Sequence, residues 1–265
     1  LDDLSDGRYV IRANRKGGLG AMGFAEMLIR LGIAYASPEA VRLAEDVMQV
    51  INREALAASE ALARQRGVFP QWKKSPYAAN NVRLRNATRT SIAPTGTISI
   101  IAGTSASIEP LFALAYHRQG VLDGGSLTET NPLFVRYAQQ HGFYSPGLVG
   151  ELQAGRRLDD LEAVPDAAKR LFQTALEIKP SDHLRIQAAF QKHVDNAVSK
   201  TVNLPESSTA DDVSAVYRTA WQSGLKGVTI FRYGSKGKQV LHLGADKTPQ
   251  HREHFAKCDP GECKL

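Results

Sequence analysis

The sequence is poor in cysteine and has no long hydrophobic run. Cys258 and Cys263 are its only cysteines, which excludes the disulfide framework of a small secreted domain. No window reaches the roughly 18 to 20 apolar residues that a membrane-spanning helix needs. The opening stretch, LDDLSDGRYV, is acidic and polar, whereas a signal peptide begins with basic and then apolar residues. We therefore expect a cytoplasmic protein that has no membrane partner.

Clustered charge of one sign is also missing. Lys and Arg number 33 against 27 Asp and Glu, a net charge of +6, and these charges are spread thinly along the chain. A nucleic-acid-binding arm normally has a block of about five or six like charges, so we expect no nucleic-acid partner. A hydrophobic content of 43% with 23% charged residues is typical of a globular protein. The mildly basic surface favours small anionic ligands such as nucleotides, but only weakly.

Apolar periodicity predicts one long helix most clearly. From Pro38 to Arg66 the apolar residues recur about every three or four positions, which places them on one helical face. Ser37 is suited to the N-cap, with proline at the first helical position. Gly67 is suited to the C-terminal end of the helix.

Shorter helices and strands are predicted to alternate along the rest of the chain. Helices are expected at Phe24–Leu31, Leu133–His141, Asp166–Ile178, Asp182–Val198 and Asp211–Gly224. Short β-branched runs at Ser91–Ala93 and Ile98–Ala102, and the segments SKTVNLP and GVTIFRY, indicate strands. This alternation is typical of an α/β fold. Apolar content falls after Gly234, so we expect a folded domain over residues 1–241 and a mobile polar tail over residues 242–265.

Two glycine-containing segments are candidate nucleotide sites. Gly18, Gly20 and Gly23 spell GxGxxG before a helix, but no strand precedes them and no acidic residue ends a second strand about 20 residues later. Close packing at a helix start is therefore favoured over nicotinamide binding. The loop from Ala93 to Ser99 combines hydroxyls, backbone N–H groups and a glycine, which suits an anion. It lacks the GxxxxGK[ST] spacing of a phosphoryl-transfer loop, and an ordinary strand-to-helix turn fits it equally well.

The polar residues that bound the apolar segments are weaker indicators of function. Glu109, Ser199 and Lys200 bound apolar segments, and by themselves such residues are typical of caps or solvated ends.

The two cysteines form a CxxxxC pair close to the C-terminus. A Pro-Gly turn between Cys258 and Cys263 allows the Cα atoms to come within the roughly 7 Å that a disulfide requires. A redox pair is one interpretation. A zinc site that includes His251 and His254 is a second, although the spacing matches no common zinc module, and inert thiols are a third.

Taken together, the ordered motifs resemble the C-terminal portion of the large, catalytic subunit of ribonucleotide reductase, most closely the adenosylcobalamin-dependent class II enzymes. The segments that carry the resemblance are ANRKGGLGAMGFAEMLIRLGI, TSIAPTGTISIIAGTSASIEPLFALAYHR, HVDNAVSKTVNLP, KGVTIFRYGS and CDPGECKL. The resemblance extends from about Ala13 to Leu265. It implies that the chain forms part of the ten-stranded α/β barrel of the reductases and glycyl-radical enzymes. In this family the GLGAMG segment is structural.

The resemblance also implies a chemistry. In this family a cysteine thiyl radical abstracts the 3′ hydrogen of a ribonucleotide, an Asn and a Glu assist, and two further barrel cysteines supply electrons. Since Cys258 and Cys263 both match the C-terminal tail, we expect the barrel half with the radical cysteine to lie upstream of Leu1. The isolated chain is then expected to be an inactive fragment.

Roles for the site residues follow from the same resemblance. Pro94, Thr95, Gly96, Thr97 and Ile98 are implied to hold the substrate phosphates, while Cys258 and Cys263 pass electrons from thioredoxin or a similar dithiol to the barrel. The implied substrate is a ribonucleoside diphosphate and the implied cofactor is adenosylcobalamin, with no metal ligands assigned in this chain.

Several alternatives remain at this point. A class I enzyme with a metal-radical subunit also has a CxxxxC tail, and a homodimer of the complete enzyme stays open. A different interpretation is a non-catalytic nucleotide-binding or split-barrel module that completes a partner chain.

Overall fold

The computed structural model describes residues 3–121 and 125–235, in which helices surround short parallel strands. The helices are α1 (Asp3–Asn14), α2 (Phe24–Arg30), α3 (Pro38–Arg66), α4 (Pro76–Ala79), α5 (Gly96–Ala102), α6 (Pro132–Gln140), α7 (Pro146–Gln153), α8 (Asp166–Leu171), α9 (Pro180–Gln191) and α10 (Ala210–Gln222). The strands are β1 (Ala115–Val121), β2 (Gly125–Thr130), β3 (Thr201–Leu204) and β4 (Thr229–Arg232), and single 3-10 turns lie at Trp72–Lys74 and Leu158–Asp160.

The long helix α3 has the bounds that its sequence predicts. The Ser37 hydroxyl accepts a hydrogen bond from the Ala40 N–H at 3.1 Å, and Pro38 occupies the first turn. At the other end Gly67 takes a positive φ of 77°, which a residue with a side chain rarely adopts. Caps and backbone freedom at the two ends therefore fix the length of this helix.

Four of the predicted elements differ from the structure. Ser91–Ala93 forms no strand, and only single parallel bridges at Thr90 and Ile92 lie there. Residues Ile98–Ala102 form the body of helix α5 and are not a strand, although they are β-branched. Helix α8 ends at Leu171, because the chain beyond it makes tertiary hydrogen bonds such as Ala175 N–H to Leu111 C=O. Helix α9 ends at Gln191, whose side-chain amide donates to the Val194 and Asn196 carbonyls and turns the chain away.

Parallel pairing places four segments side by side. Strands β3 and β4 pair in parallel, from Thr201 with Thr229 to Leu204 with Arg232. Single parallel bridges join Leu19 to Thr90 and Ile92 to Val198. Residues 17–23 are called the glycine segment below. The order across this array is therefore the glycine segment, residues 90–92, β3 and β4. Strands β1 and β2 form a separate antiparallel hairpin.

The core lies between the strand array and the helices. Helices α3 and α9 pack against each other. The ring of Phe24 at the start of α2 packs edge to face against the ring of Phe190 in α9, with 5.1 Å between the ring centroids. A smaller cluster of Leu184, Val202, Leu204, Val216 and Ala220 packs α10 against β3. Within the described ranges, every helix is too short or too polar to cross a bilayer.

The glycine segment is a packing motif. A Cβ at Gly20 would lie 2.1 Å from the Ser91 carbonyl oxygen, and a Cβ at Gly23 would lie 2.6 Å from the Thr104 hydroxyl. Gly23 also has a φ of 79° at the N-cap of α2. Gly20 thus lies directly against the segment 90–92 and Gly23 against Thr104, which supports the close-packing interpretation of GxGxxG.

Replacing Gly20 by alanine is expected to destabilise the fold. The new methyl group would overlap the backbone of residue 91, and overpacking of this kind costs about 1–3 kcal/mol. The control is Gly150→Ala in α7, where a Cβ meets nothing within 4 Å. There the free energy of unfolding is expected to rise by about 0.5–1 kcal/mol, because alanine is the better helix former. Urea unfolding followed by circular dichroism measures both, and equal stability of the two variants would contradict the prediction.

Candidate functional site

The loop Pro94–Ile98 lies where the strand segment 90–92 ends. Parallel α/β sheets bind their ligands outside the carboxyl ends of the strands, which is where this loop lies. Helix α5 begins at Gly96, and no side chain caps its first turn. The leading N–H groups of a helix have no partners within the helix, and Gly96, Thr97 and Ile98 are exposed. A Cβ at Gly96 would meet nothing within 4 Å, so open space adjoins the turn.

Thr95 holds the loop in shape. It is the N-cap residue of α5 in a left-handed conformation, with a φ of 50° that is uncommon for a residue other than glycine. Its hydroxyl accepts a hydrogen bond from the Ser107 N–H at 2.7 Å, and its carbonyl accepts one from the Ser99 N–H at 2.9 Å. The Thr95 hydroxyl therefore already binds the protein itself, which the sequence did not indicate.

The segment Ser105–Glu109, called the 105–109 segment below, runs behind the loop. The Gly23 N–H donates to the Ser105 carbonyl at 2.8 Å, and the Tyr35 hydroxyl donates to the Ile108 carbonyl at 2.6 Å. Burial, followed by the nearby Glu109 carboxylate, raises the pKa of Tyr35 well above its usual value. The phenol therefore remains a hydrogen-bond donor, and it fixes the segment next to Glu109.

Glu109 lies beside a buried lysine at the start of β3. One carboxylate oxygen accepts from the Lys200 ammonium at 2.6 Å, and the other accepts from the Thr201 N–H at 2.7 Å. Lys200 also donates to the Thr201 carbonyl at 2.6 Å, and its Nζ lies 2.8 Å from Nδ1 of His183. Lys200 is only 1% exposed. All three donor directions of the ammonium thus have partners.

His183 is a neutral acceptor in this cluster. Its Nε2 lies 3.0 Å from the Ala175 carbonyl, so Nε2 bears the hydrogen and Nδ1 is free to accept from Lys200. Burial, and then the Lys200 charge, lower the pKa of His183 to about 3. Burial also lowers the pKa of Lys200, and the Glu109 carboxylate opposes that shift.

A second polar network fixes the strand that leads into the loop. Arg89 and Asp195 form an ion pair at 2.7 Å, with side chains 9% and 14% exposed. The Asn196 amide donates to the Gly17 carbonyl, the Thr90 carbonyl and the Thr88 hydroxyl, each at 3.1 Å. One asparagine therefore ties the glycine segment and the strand segment to the chain entering β3.

The structure places some of the predicted site residues and not others. Pro94, Thr95, Gly96, Thr97 and Ile98 lie together on one exposed loop, apart from the partly buried Thr95. Cys258 and Cys263 lie outside the described residues, as do His251, His254 and the whole segment 242–265. In the described part of the chain, no group of three or more His, Cys, Asp or Glu side chains could hold a metal ion.

The Glu109–Lys200 pair is the feature that sequence reasoning missed. Interpreting Lys200 as a cap or a solvated end is wrong, because the side chain is buried. A signal was available in the strand period of two, which places Lys200 on the same face as Val198 and Val202. Both valines are buried.

The chain matches the family model described as ribonucleotide reductase, barrel domain, over residues 3–84 and 81–231. Among curated proteins it is 49% identical over 255 residues to the vitamin B12-dependent ribonucleoside-diphosphate reductase of Mycobacterium tuberculosis, covering 93% of this chain and 36% of that protein. It is 45% identical over 261 residues to the protein of the same name from Thermoplasma acidophilum, covering 96% of this chain and 34% of that protein. The chain therefore spans about a third of the length of these relatives.

A solved structure shows the same fold. The class Id ribonucleotide reductase alpha subunit of Actinobacillus ureae superposes with a TM-score of 0.72 at 26% identity. The superposition covers 86% of this chain and 40% of that one. The predicted α/β class and the partial-barrel architecture are thereby confirmed.

The neutral state of His183 predicts a loss of stability in acid. Unfolded histidine has a pKa near 6.5, against about 3 in the fold, so below pH 6.5 the unfolded state binds the extra proton. The free energy of unfolding should therefore fall as the pH drops from about 6.5 towards 3, by up to about 1.4 kcal/mol per pH unit. Urea titrations at several pH values measure the slope. His183→Gln should flatten it, whereas the exposed control His141→Gln should not.

Proposed function

The chain belongs to the ribonucleotide reductase barrel-domain family, and on this premise we propose that it supplies the substrate-phosphate loop and the C-terminal dithiol of a ribonucleoside-diphosphate reductase. The complete enzyme reduces ribonucleoside diphosphates to 2′-deoxyribonucleotides for DNA synthesis, with oxidised thioredoxin as co-product. Both relatives described above are named ribonucleoside-diphosphate reductases, which supports the diphosphate substrate.

The observation that carries the proposal is the uncapped, exposed first turn of α5. Free backbone N–H groups and the helix dipole favour an anion at this place, and Gly96 leaves room for it to reach the main chain. In this role the N–H groups of Gly96, Thr97 and Ile98 and the Thr97 hydroxyl bind the phosphates. Pro94 restricts the entry to the turn, and Thr95 holds its shape through Ser107.

Anchoring the phosphates serves the radical chemistry. A ribose that is held through its phosphates presents its 3′ carbon at a defined distance from the radical cysteine. A displacement of about 1 Å can cost about a hundredfold in rate. The radical cysteine, its assisting Asn and Glu, and the reducing cysteines come from the remainder of the barrel, since Cys258 and Cys263 are this chain's only cysteines.

Cys258 and Cys263 act as the dithiol shuttle on the tail 242–265. One thiolate attacks the disulfide that turnover leaves in the barrel and forms a mixed disulfide, which the second thiol resolves. The barrel thiols are thereby reduced and the tail becomes the disulfide, which thioredoxin then reduces. Lys257 and Lys264 flank the pair and favour its thiolate form. Thioredoxin as the reductant fits a cytoplasmic enzyme.

Adenosylcobalamin is the proposed radical source, because the two relatives described above are named vitamin B12-dependent. When bound, it would supply the radical that oxidises the active-site cysteine. Two cavities of the described residues are small for it. The cavity between Ala113, Leu158 and Glu177 encloses about 270 Å³ and the one between Leu148, Glu151 and Glu162 about 370 Å³, whereas pockets for drug-sized ligands occupy about 300–1,000 Å³ and a corrinoid is larger. We therefore expect the rest of the enzyme to supply most of the cobalamin contacts.

Replacing Gly96 by valine is expected to abolish diphosphate binding. The side chain would fill the space through which the phosphates approach the backbone, while the fold has room for it. Binding of CDP is measured by calorimetry on the assembled reductase, meaning this chain completed by the barrel part with the radical cysteine. The control Gly150→Val lies at another open, exposed position. Unchanged CDP affinity in Gly96→Val would refute the phosphate role.

Changing Cys258 and Cys263 together to serine tests the shuttle. The assembled reductase should lose multiple turnover with thioredoxin but keep the first turnover after chemical reduction of the barrel thiols, because only the relay is removed. Rapid-quench counting of deoxynucleotide per active site distinguishes the two phases. Sustained turnover with thioredoxin in the double variant would show that the tail is dispensable.

A further inference from the structure

We propose that the buried Lys200–Glu109 pair positions the phosphate loop, and so sets the affinity of the enzyme for the phosphates of its substrate. Neither residue touches the substrate in this role. The inference rests on the proposed function of the loop Pro94–Ile98, and it adds Lys200, which directly precedes β3, and Glu109 of the 105–109 segment to the same site.

The pair joins two parts of the chain that are far apart in sequence. Glu109 receives both the Lys200 ammonium, at 2.6 Å, and the Thr201 N–H, at 2.7 Å. The carboxylate is thus held by the side chain of the residue just before β3 and by the backbone of the first residue of β3. Two bonds in different directions fix both the position and the orientation of Glu109 relative to β3.

Two residues of chain and one hydrogen bond connect Glu109 to the loop. Two residues before Glu109, the Ser107 N–H donates to the Thr95 hydroxyl at 2.7 Å. Ser107 has a φ of 49° and Thr95 a φ of 50°, so each end of this bond is a non-glycine residue in the left-handed region. Such conformations persist only where the surroundings hold them. Glu109 supplies one such hold, close to the bond that sets the N-cap of α5.

Stability alone gives a weak reason for this pair. Val198 and Val202, two positions to either side of Lys200, are buried, and an apolar residue at position 200 would avoid the desolvation of an ammonium. An apolar residue would, however, provide no directed bond to Glu109. His183 completes the arrangement, because its bare Nδ1 accepts the third Lys200 proton at 2.8 Å. The amine is therefore oriented as well as buried.

The test compares a ligand that has phosphates with one that lacks them. In the assembled reductase, Lys200→Met removes the bond to Glu109 while keeping a side chain of similar length. We expect the dissociation constant of CDP to rise about tenfold and that of cytidine to stay within about twofold. The KM for CDP should rise similarly while kcat at saturation changes less than about threefold. The matched control is Lys192→Met, at an exposed lysine that pairs with Glu45 on α3.

A second variant keeps the test decisive if Lys200→Met does not fold. Glu109→Gln keeps the size of the side chain but breaks the pair from its other partner, because the amide nitrogen cannot accept from the Lys200 ammonium or the Thr201 N–H. It should show the same selective loss of CDP affinity. An unchanged CDP affinity, or equal losses for CDP and cytidine, in the variant that folds would overturn the positioning role. If Gly96→Val leaves CDP affinity unchanged as well, the phosphate-binding role of the loop is refuted. If Gly96→Val weakens CDP binding but the variants of the pair do not, only the positioning role of the pair is refuted.

Discussion

The structure depends on a charge that is held inside the protein at the start of β3. Removing an ammonium from water is costly unless its donors are satisfied, and Lys200 meets this requirement through Glu109, Thr201 and His183. Satisfying the amine brings the 105–109 segment against the strand. Because that segment also binds Thr95, one buried electrostatic contact is linked to the geometry of an exposed loop.

The rest of the array serves the same loop from other directions. Gly20 allows the glycine segment to approach the strand segment 90–92, since a Cβ there would lie 2.1 Å from the backbone of residue 91. Asn196 and the Arg89–Asp195 pair tie that strand segment to the chain entering β3. The supporting contacts are thus a close backbone approach at Gly20 and partly buried polar bonds, whereas Gly96, Thr97 and Ile98 remain open to solvent. This is the arrangement expected of a binding loop on a rigid scaffold.

Local signals predicted the elements whose ends are set locally. Helix α3 has a serine cap, a proline in its first turn and a glycine at its end, and its bounds follow from these residues. Helices α8 and α9 end where tertiary hydrogen bonds take over the backbone, which periodicity cannot reveal. In α5 the β-branched run indicated a strand, but Ile100 and Ile101 are exposed on a short helix. The β-propensity of a residue depends on how its side chain packs in a sheet, and this segment does not pack in a sheet.

By itself the sequence determined the family, the α/β class and the residues of the exposed loop, because ordered motifs and turn chemistry are local properties of the chain. Only the tertiary structure decided that Lys200 is buried, that His183 is neutral and that the Thr95 hydroxyl is bound to Ser107. The partners in the cluster of Glu109, His183 and Lys200 are separated by 91 and 17 positions in sequence. Their protonation and orientation follow from burial and from each other, and neither exists until the chain has folded.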